Sequence, residues 1–293
     1  MFTEVARLKK VRKKWIALAG AAVFAVVLAG WLVWSNVTVE MTRYSVASSR
    51  LPASFDHSRI VVVSDLHNAE FGEDNCQLIR LIEQESPDMI AITGDLVDSS
   101  KTNMETAESL IHHLTSIAPC YYVTGNHEAW LGEQYQELEK MLLKEAVVIL
   151  HNTSVPWKKG QDSIQLAGLD DPDFTDRDSS VQQSILETRL HEMDLTDDYC
   201  ILLSHRPEAF EAYLSEGVDL VLSGHAHGGQ FRLPLIGGII APNQGWFPKY
   251  DAGSYSQQNT TMIVSRGIGN SIIPMRINNR PEIVSVELIC EVY

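Results

Sequence analysis

The chain has 293 residues, 45% hydrophobic and 21% charged, enough apolar content for one large globular domain with a substantial core. Its formal net charge is −15, yet Arg7, Lys9, Lys10, Arg12, Lys13 and Lys14 crowd into the first 14 positions. The remainder is therefore more acidic still, which argues against nucleic acid as a partner.

The first predicted element follows the basic cluster. Residues 15–34, WIALAGAAVFAVVLAGWLVW, carry no charge. Twenty helical residues at ~1.5 Å each span about 30 Å, one bilayer core. Trp15, Trp31 and Trp34 lie at the ends of the run, where indole rings favour the membrane interface. A cleaved signal peptide has a shorter apolar stretch and a small-residue site directly after it. Here the nearest candidate, Ser45-Val46-Ala47, is well downstream. The expectation is one uncleaved transmembrane helix over 15–34, with residues 1–14 cytoplasmic. The domain then faces outward from the cell membrane on a single-pass anchor. Residues 35–58 read as a polar stalk and 59–293 as the domain.

From Ser58 onward, short apolar runs alternate with amphipathic stretches. The runs IVVVSD, MIAITGD, YYVTGN, CILLSH and LVLSGH are rich in β-branched and aromatic residues, as in buried strands. Helices are predicted at about 75–86, 103–117, 132–145, 178–192 and 207–215, which makes the domain α/β. After Gly228 the helices stop. GGQFRL, GSYSQ, TTMIVSRG and EIVSVELI read as strands, and a sheet is expected to finish antiparallel. Cys76, Cys120, Cys200 and Cys290 are scattered, with no CxxC; Cys120 and Cys200 open apolar runs and read as small buried hydrophobes. An outward location permits a disulfide, but spacing assigns none.

Each apolar run ends in residues able to bind metal: Asp65 and His67, Asp95 and Asp98, Asn126 with His127 and Glu128, His205, and His225 with His227. Strand ends at one edge of an α/β sheet converge on a crevice where such folds bind ligands. Residues two apart in extended backbone point to the same side, so Asp65 with His67 and His225 with His227 can each aim two ligands at one place. Gly224, Gly228 and Gly229 let the chain turn closely around the second pair. Oxygen and imidazole donors without thiolate suit Mn²⁺, Fe or Zn²⁺ rather than Cu(I) or an iron–sulfur cluster. The donors are too many for one ion; two divalent ions about 3.5–4 Å apart would use them.

Asp-x-His, Gly-Asp-x-x-Asp, Gly-Asn-His-Glu, a lone His and Gly-His-x-His, in this order over residues 59–290, resemble the calcineurin-like metallophosphoesterase superfamily. GHAHGGQFRLP, APNQGWFPKY and SRGIGNS further resemble its membrane-associated bacterial YkuE-like branch. The resemblance implies a four-layer α/β/β/α sandwich with two metals at one end. It implies that Asp65, His67 and His227 hold the first metal, that Asn126, His205 and His225 hold the second, and that Asp95 bridges them. It matches His127 to the family's catalytic histidine and Asp98 to the acid that orients it. A water activated between the ions would attack phosphorus, with His127 donating to the leaving oxygen. Ser99-Ser100 stand where Ser/Thr protein phosphatases have Arg-Gly, which lowers the odds of a phosphoprotein substrate.

Other features have plainer readings. His57, His112, His113, His151 and His191 read as surface or structural residues. Arg206 suits either a phosphate oxygen or an ordinary surface pair. Asp170, Asp171 and Asp173 read as a turn around Pro172, and Glu128 as a residue that orients its loop. LPLIGGIIAPNQGWF, 233–247, is apolar enough for a lip near the site or a lipid contact, though core packing is the simpler reading. The expected function is hydrolysis of phosphodiesters or phosphomonoesters by a membrane-anchored enzyme, with a lipid headgroup or a cell-envelope component as the substrate guess. The alternative is a metal-binding scaffold that kept the fold and lost catalysis; the full set of ligands and His127 speaks against it.

Overall fold

The computed structural model describes residues 2–193 and 195–291, with side chains from residue 12 onward. Arg7, Lys9 and Lys10 of the expected basic cluster therefore have side chains outside the described residues, as do Met1 and residues 292–293 altogether. Helix α1 (Phe2–Val37) contains the apolar span and continues to both sides of it. Its stretch Arg12–Val37 is long and apolar enough to cross a bilayer, and its apolar part is exposed while only its last turn meets the rest of the chain.

The strands form two six-stranded sheets. The first contains β1 (Glu40–Ser48), β2 (Arg59–Val63), β3 (Met89–Thr93), β4 (Cys120–Val123), β5 (Val148–Ile149) and the late strand β16 (Glu282–Cys290). The second contains β6 (Thr153–Lys159), β7 (Asp162–Gly168), β8 (Cys200–Leu203), β9 (Leu220–Ser223), β14 (Gly253–Gln257) and β15 (Thr260–Val264). Between β9 and β14, two small ribbons pair β10 (Arg232–Leu233) with β11 (Gly237–Gly238), and β12 (Ile240–Ala241) with β13 (Gly245–Trp246). The sheet orders are β1-β16-β2-β3-β4-β5 and β14-β15-β9-β8-β7-β6. As expected, the chain finishes antiparallel: β14 against β15, and β16 against β2.

Helices α2 (Cys76–Glu85), α3 (Met104–Ile117) and α5 (Tyr135–Lys144) cover the first sheet, and the short α4 (Asn126–Trp130) follows β4. Helices α6 (Ser179–Glu192) and α7 (Phe210–Ser215) cover the second. The period-two alternation of strands sorts their side chains between layers. Val61 and Val63 of β2 pack on the first helical layer with Leu78, Leu110 and Leu138. Ile60 and Val62 face the other way, meeting Ile201, Leu203, Leu220 and Leu222 between the sheets. On the far side Cys200, Leu202 and Val221 meet Leu186, Leu190 and Phe210. Three apolar interfaces separate four layers, and the fold is an α/β/β/α sandwich. This burial on both faces is why the central runs read as continuous apolar stretches rather than alternating ones.

One expected segment is corrected. Residues 40–48, taken as part of a polar stalk, form edge strand β1, paired in parallel with β16 along all nine positions from Glu40↔Glu282 to Ser48↔Cys290. Met41 packs on the helical side of the sheet, while Tyr44 and Val46 reach the core between sheets. Only Thr38 and Val39 lie between α1 and β1. Cys120 and Cys200 are buried as expected, and the four cysteines are free thiols.

Candidate dinuclear metal centre

Strands β2, β3, β4, β8 and β9 end at the same place, and their first residues beyond the strand supply the donors. The structure brings Asp65, His67, Asp95, Asn126, His127, His205, His225 and His227 together, all buried. Two of the groups that could hold an ion are Asp65-His67-His227 and Asp95-His205-His225. In the first, Asp65 Oδ1 lies 3.5 Å from His227 Nε2, and His67 Nε2 lies 3.2 Å from His227 Nε2. In the second, Asp95 Oδ2 lies 3.3 Å from His205 Nε2, which is 3.2 Å from His225 Nδ1. Asp95 Oδ2 is also 3.5 Å from His67 Nε2. A single carboxylate oxygen thus sits between the groups.

The backbone is bent to achieve this. Asp65, His67, Asp95, His225 and His227 all have positive φ, between 46° and 66°. Histidine in that left-handed region costs of the order of 1–3 kcal/mol per residue, strain that accumulates where the surroundings over-determine a functional geometry. Close approach also explains two glycines. A Cβ at Gly224 would collide with Ser64 Oγ and Asp65 Oδ2, and one at Gly125 with the Asp95 carboxylate.

Supporting hydrogen bonds leave the donor atoms free. His205 Nδ1–H donates to the Thr93 carbonyl at 2.7 Å, which directs Nε2 into the site. Glu128 is buried and accepts from the backbone N–H groups of Asp95, Leu96 and Gly125 at 2.7–2.8 Å, clamping two strand-end loops together. Its expected role as a loop-orienting residue is what the structure shows. Burial and the neighbouring Asp95 charge raise its carboxyl to about 8.

Two observations show that these residues fit divalent cations. Asn126 Oδ1 is buried without a hydrogen-bond partner while its side chain lines the cavity. The electrostatics agree. Burial lowers the imidazoles of His67 and His225 well below their usual value and His227 to about 4, keeping them neutral. Burial opposes charge on His205 also, but the Asp95 carboxylate outweighs it and raises that imidazole to about 10. Asp95, despite its burial, is held well below the carboxylate range by His205 and His67. The pocket therefore draws positive charge to Asp95, and a divalent cation held there would supply it.

His127 stands beside the cluster, its ring centroid 4.5 Å from that of His67. Here the expectation for Asp98 is corrected. Asp98 Oδ1 accepts from Ser100 N–H and Oγ–H, closing its own turn. His127 Nδ1 instead accepts from Ser99 N–H at 3.1 Å, with Ser99 Oγ at 3.2 Å. A backbone N–H can only donate, so Nδ1 is an acceptor and the neutral ring carries its proton on Nε2. Nε2 lies 3.0 Å from Ser271 Oγ on the cavity wall.

Arg206 is neither surface-paired nor free. It is buried, donates through Nε and Nη2 to the Asp171 carboxylate and reaches Asp173 at 2.9 Å, with Nη1 3.1 Å from His225 Nε2. Asp171 also caps the expected turn at Pro172 by accepting from Asp173 N–H. His57, His112, His113, His151 and His191 lie on the surface, as expected. Sequence reasoning missed Arg276. It is fully buried, donates to the Arg266 and Gly269 carbonyls, and places Nη2 3.4 Å from His227 Nδ1. Burial lowers its guanidinium to about 10. Nothing in its neighbours' spacing marks it. The cluster opens into a cavity of ≈ 480 Å³ lined in part by Trp130, Arg177, Arg206, Ile240 and Ile272.

A four-layer sandwich with this donor set at one end defines a metal-dependent phosphoester hydrolase. Residues 58–229 match the family described as calcineurin-like phosphoesterase. The chain is 32% identical over 251 residues to the metallophosphoesterase YkuE of Bacillus subtilis (strain 168), covering 84% of each. It is 29% identical over 236 residues to the phosphodiesterase YaeI of Escherichia coli (strain K12), covering 79% of this chain and 82% of that one. It is 32% identical over 268 residues to a Bos taurus transmembrane protein with metallophosphoesterase domain, covering 85% of this chain but 56% of the bovine protein. The chain belongs to the calcineurin-like phosphoesterase family, on its YkuE-like branch.

Proposed function

We propose that this protein is a membrane-anchored, extracytoplasmic hydrolase of phosphodiesters or phosphomonoesters that works with two divalent cations, Mn²⁺ first among them. The observation that carries this is the pair of donor groups meeting at Asp95 Oδ2. Asp65, His67 and His227 would hold one ion; Asn126, His205 and His225 the other; Asp95 both. When bound, such a pair polarises the phosphoryl oxygens and lowers the pKa of a water between them. The protein's own groups do the rest. His127 presents Nε2–H at the cavity wall as a hydrogen-bond donor that stabilises charge on the leaving oxygen, with Ser99 fixing the ring. Arg177, exposed at the rim 5.9 Å from the Trp130 ring centroid, offers a positive charge for a phosphoryl group.

With Mn²⁺, the full chain in detergent is expected to bind two ions and to hydrolyse bis(p-nitrophenyl) phosphate or p-nitrophenyl phosphate. The ratio of the two rates reports diester against monoester preference. Two ions bound with no turnover of either ester would establish the scaffold alternative instead.

The anchor reading is supported by the way α1 meets the domain. Ser35 is buried, and Asn36 exchanges hydrogen bonds with the backbone of Arg276 at 2.8 and 2.9 Å. The downstream candidate cleavage site, Ser45–Ala47, lies inside β1. Protease added to spheroplasts is expected to remove the domain and spare the short N-terminus. A protected domain, beside a digested outer-surface control, would reverse the orientation.

A further inference from the structure

We propose that the rim of the cavity is itself a membrane-docking surface, so that the site opens onto the bilayer entered by α1 and takes its phosphoester from an amphiphile held there. This rests on the anchor and hydrolase readings above and adds to them a substrate class and a direction of approach.

Two of the loops that form the rim lack charge, unlike the edge at Trp130 and Arg177. Residues 233–247 (LPLIGGIIAPNQGWF) and 267–275 (GIGNSIIPM) contain no Asp, Glu, Lys or Arg in a chain that is 21% charged. The same loops line the cavity through Ile240, Ala241 and Pro242 and through Ser271, Ile272 and Ile273. Yet their large apolar side chains point out of the protein. Leu235, Ile272, Trp246, Phe247 and Ile236 are between 62% and 108% exposed. The core-packing reading of 233–247 is therefore wrong for these residues. Several exposed large apolar side chains on two loops beside a binding cavity mark a contact with lipid or with protein.

The position of α1 selects lipid. No stalk separates the helix from the domain; two residues join it to β1. Its last turn is tied to the segment 276–280 by Asn36 and Arg276, and the Arg280 guanidinium lies 4.7 Å over the ring of Trp34, the residue expected at the membrane interface. From that segment, hydrogen bonds run straight to the rim. Arg232 N–H donates to the Ile277 carbonyl at 3.0 Å, at the base of the β10–β11 ribbon that displays Leu235 and Ile236. Gln230 Nε2 donates to the carbonyls of Ile273 and Met275 at 2.9 and 2.7 Å, joining the two loops. A domain fastened to the end of its own anchor holds these loops at headgroup level. Exposed leucine, isoleucine, tryptophan and phenylalanine are the side chains that enter that zone favourably. The remainder of the domain is acidic and has no attraction for an anionic surface, so apolar insertion beside the anchor is what orients it.

The test uses the full chain in phosphatidylcholine nanodiscs. In a Cys76→Ser, Cys290→Ser background, an environment-sensitive fluorophore is placed at Leu235→Cys, Trp246→Cys or, as control, Gln258→Cys in the turn between β14 and β15. Spin-labelled lipid is expected to quench the probes at 235 and 246 and not the one at 258. Probes at 235 and 246 as water-exposed and unquenched as the control would overturn the proposal. A second arm compares two esters with one leaving group: bis(p-nitrophenyl) phosphate in solution and a phosphatidyl ester of p-nitrophenol carried in the disc. The triple variant Leu235→Ser, Ile236→Ser, Phe247→Ser is expected to raise KM for the lipid ester about tenfold or more while leaving the soluble ester unchanged. Equal losses on both esters, or a parent chain that cleaves only the soluble one, would sink the inference. Quenched rim probes in a chain that cleaves neither ester would support docking and reject the hydrolase reading alone.

Discussion

Asp95→Asn is expected to empty both metal positions and to reduce hydrolysis of bis(p-nitrophenyl) phosphate further than the loss of any other single donor. Asp95 Oδ2 lies within 3.5 Å of donors in both groups, from His67 on one side to His205 on the other. Its Oδ1 also accepts the His127 N–H at 2.8 Å. The amide preserves shape and removes the negative charge that raises His205 and would balance two dications. His225→Ala or His227→Ala removes one donor from one group, so each should retain the other ion. Metal analysis after Mn²⁺ loading and desalting reads the difference directly. An Asp95→Asn protein that keeps two ions would refute the shared role.

His127→Ala should fail in a different way. The ring touches the cluster from outside both three-residue groups proposed as ion sites, so two ions should stay bound while turnover falls by about 10²–10³-fold, the range for losing one donor to a developing oxyanion. An ester with a poor leaving group, such as an alkyl phosphodiester, develops more charge on its leaving oxygen, depends more on the Nε2–H hydrogen bond and should lose more than a p-nitrophenyl ester. The comparison separates leaving-group stabilisation from a structural defect, which would lower both alike. Loss of metal from His127→Ala would make it a ligand and remove it from the donor role.

The site was legible in the sequence because metal chemistry restricts residue type and position together. Asp-x-His and His-x-His must follow strands that end in one place. The left-handed backbone at all four residues, not the extended geometry expected, then sends His225 and His227 to different donor groups. Those strands are buried on both faces and announce themselves as apolar runs. Strand β1 has neither property. Its core-facing Tyr44 and Val46 alternate with exposed Arg43 and Ser45, and its partner β16 is some 240 positions away. Strand β6 hides similarly: it carries Pro156, which an edge strand tolerates. Ser99 and Ser271 were invisible for another reason. One hydroxyl or one backbone N–H beside a histidine leaves no pattern in spacing. Asp98 misled because it is the charged residue nearest the right place, while the contact is made by the next residue's amide.

The strand order of the first sheet has a consequence for how the chain acquires its structure. Strand β16 lies between β1 and β2, so residues 282–290 must be in place before the segments at 40–48 and 59–63 have their neighbours. During synthesis α1 is finished first, while the groove it leads into stays open until almost 250 further residues have followed. Ile60, Val61 and Val62 wait with one flank unpaired for that interval. Such closure by distant partners is slow and leaves sticky edges exposed. On the proposed anchor the chain would meet this delay beside a membrane, where tethering holds neighbouring copies at one surface. The late strand is the piece whose arrival turns a half-built sheet into the sandwich that holds the site.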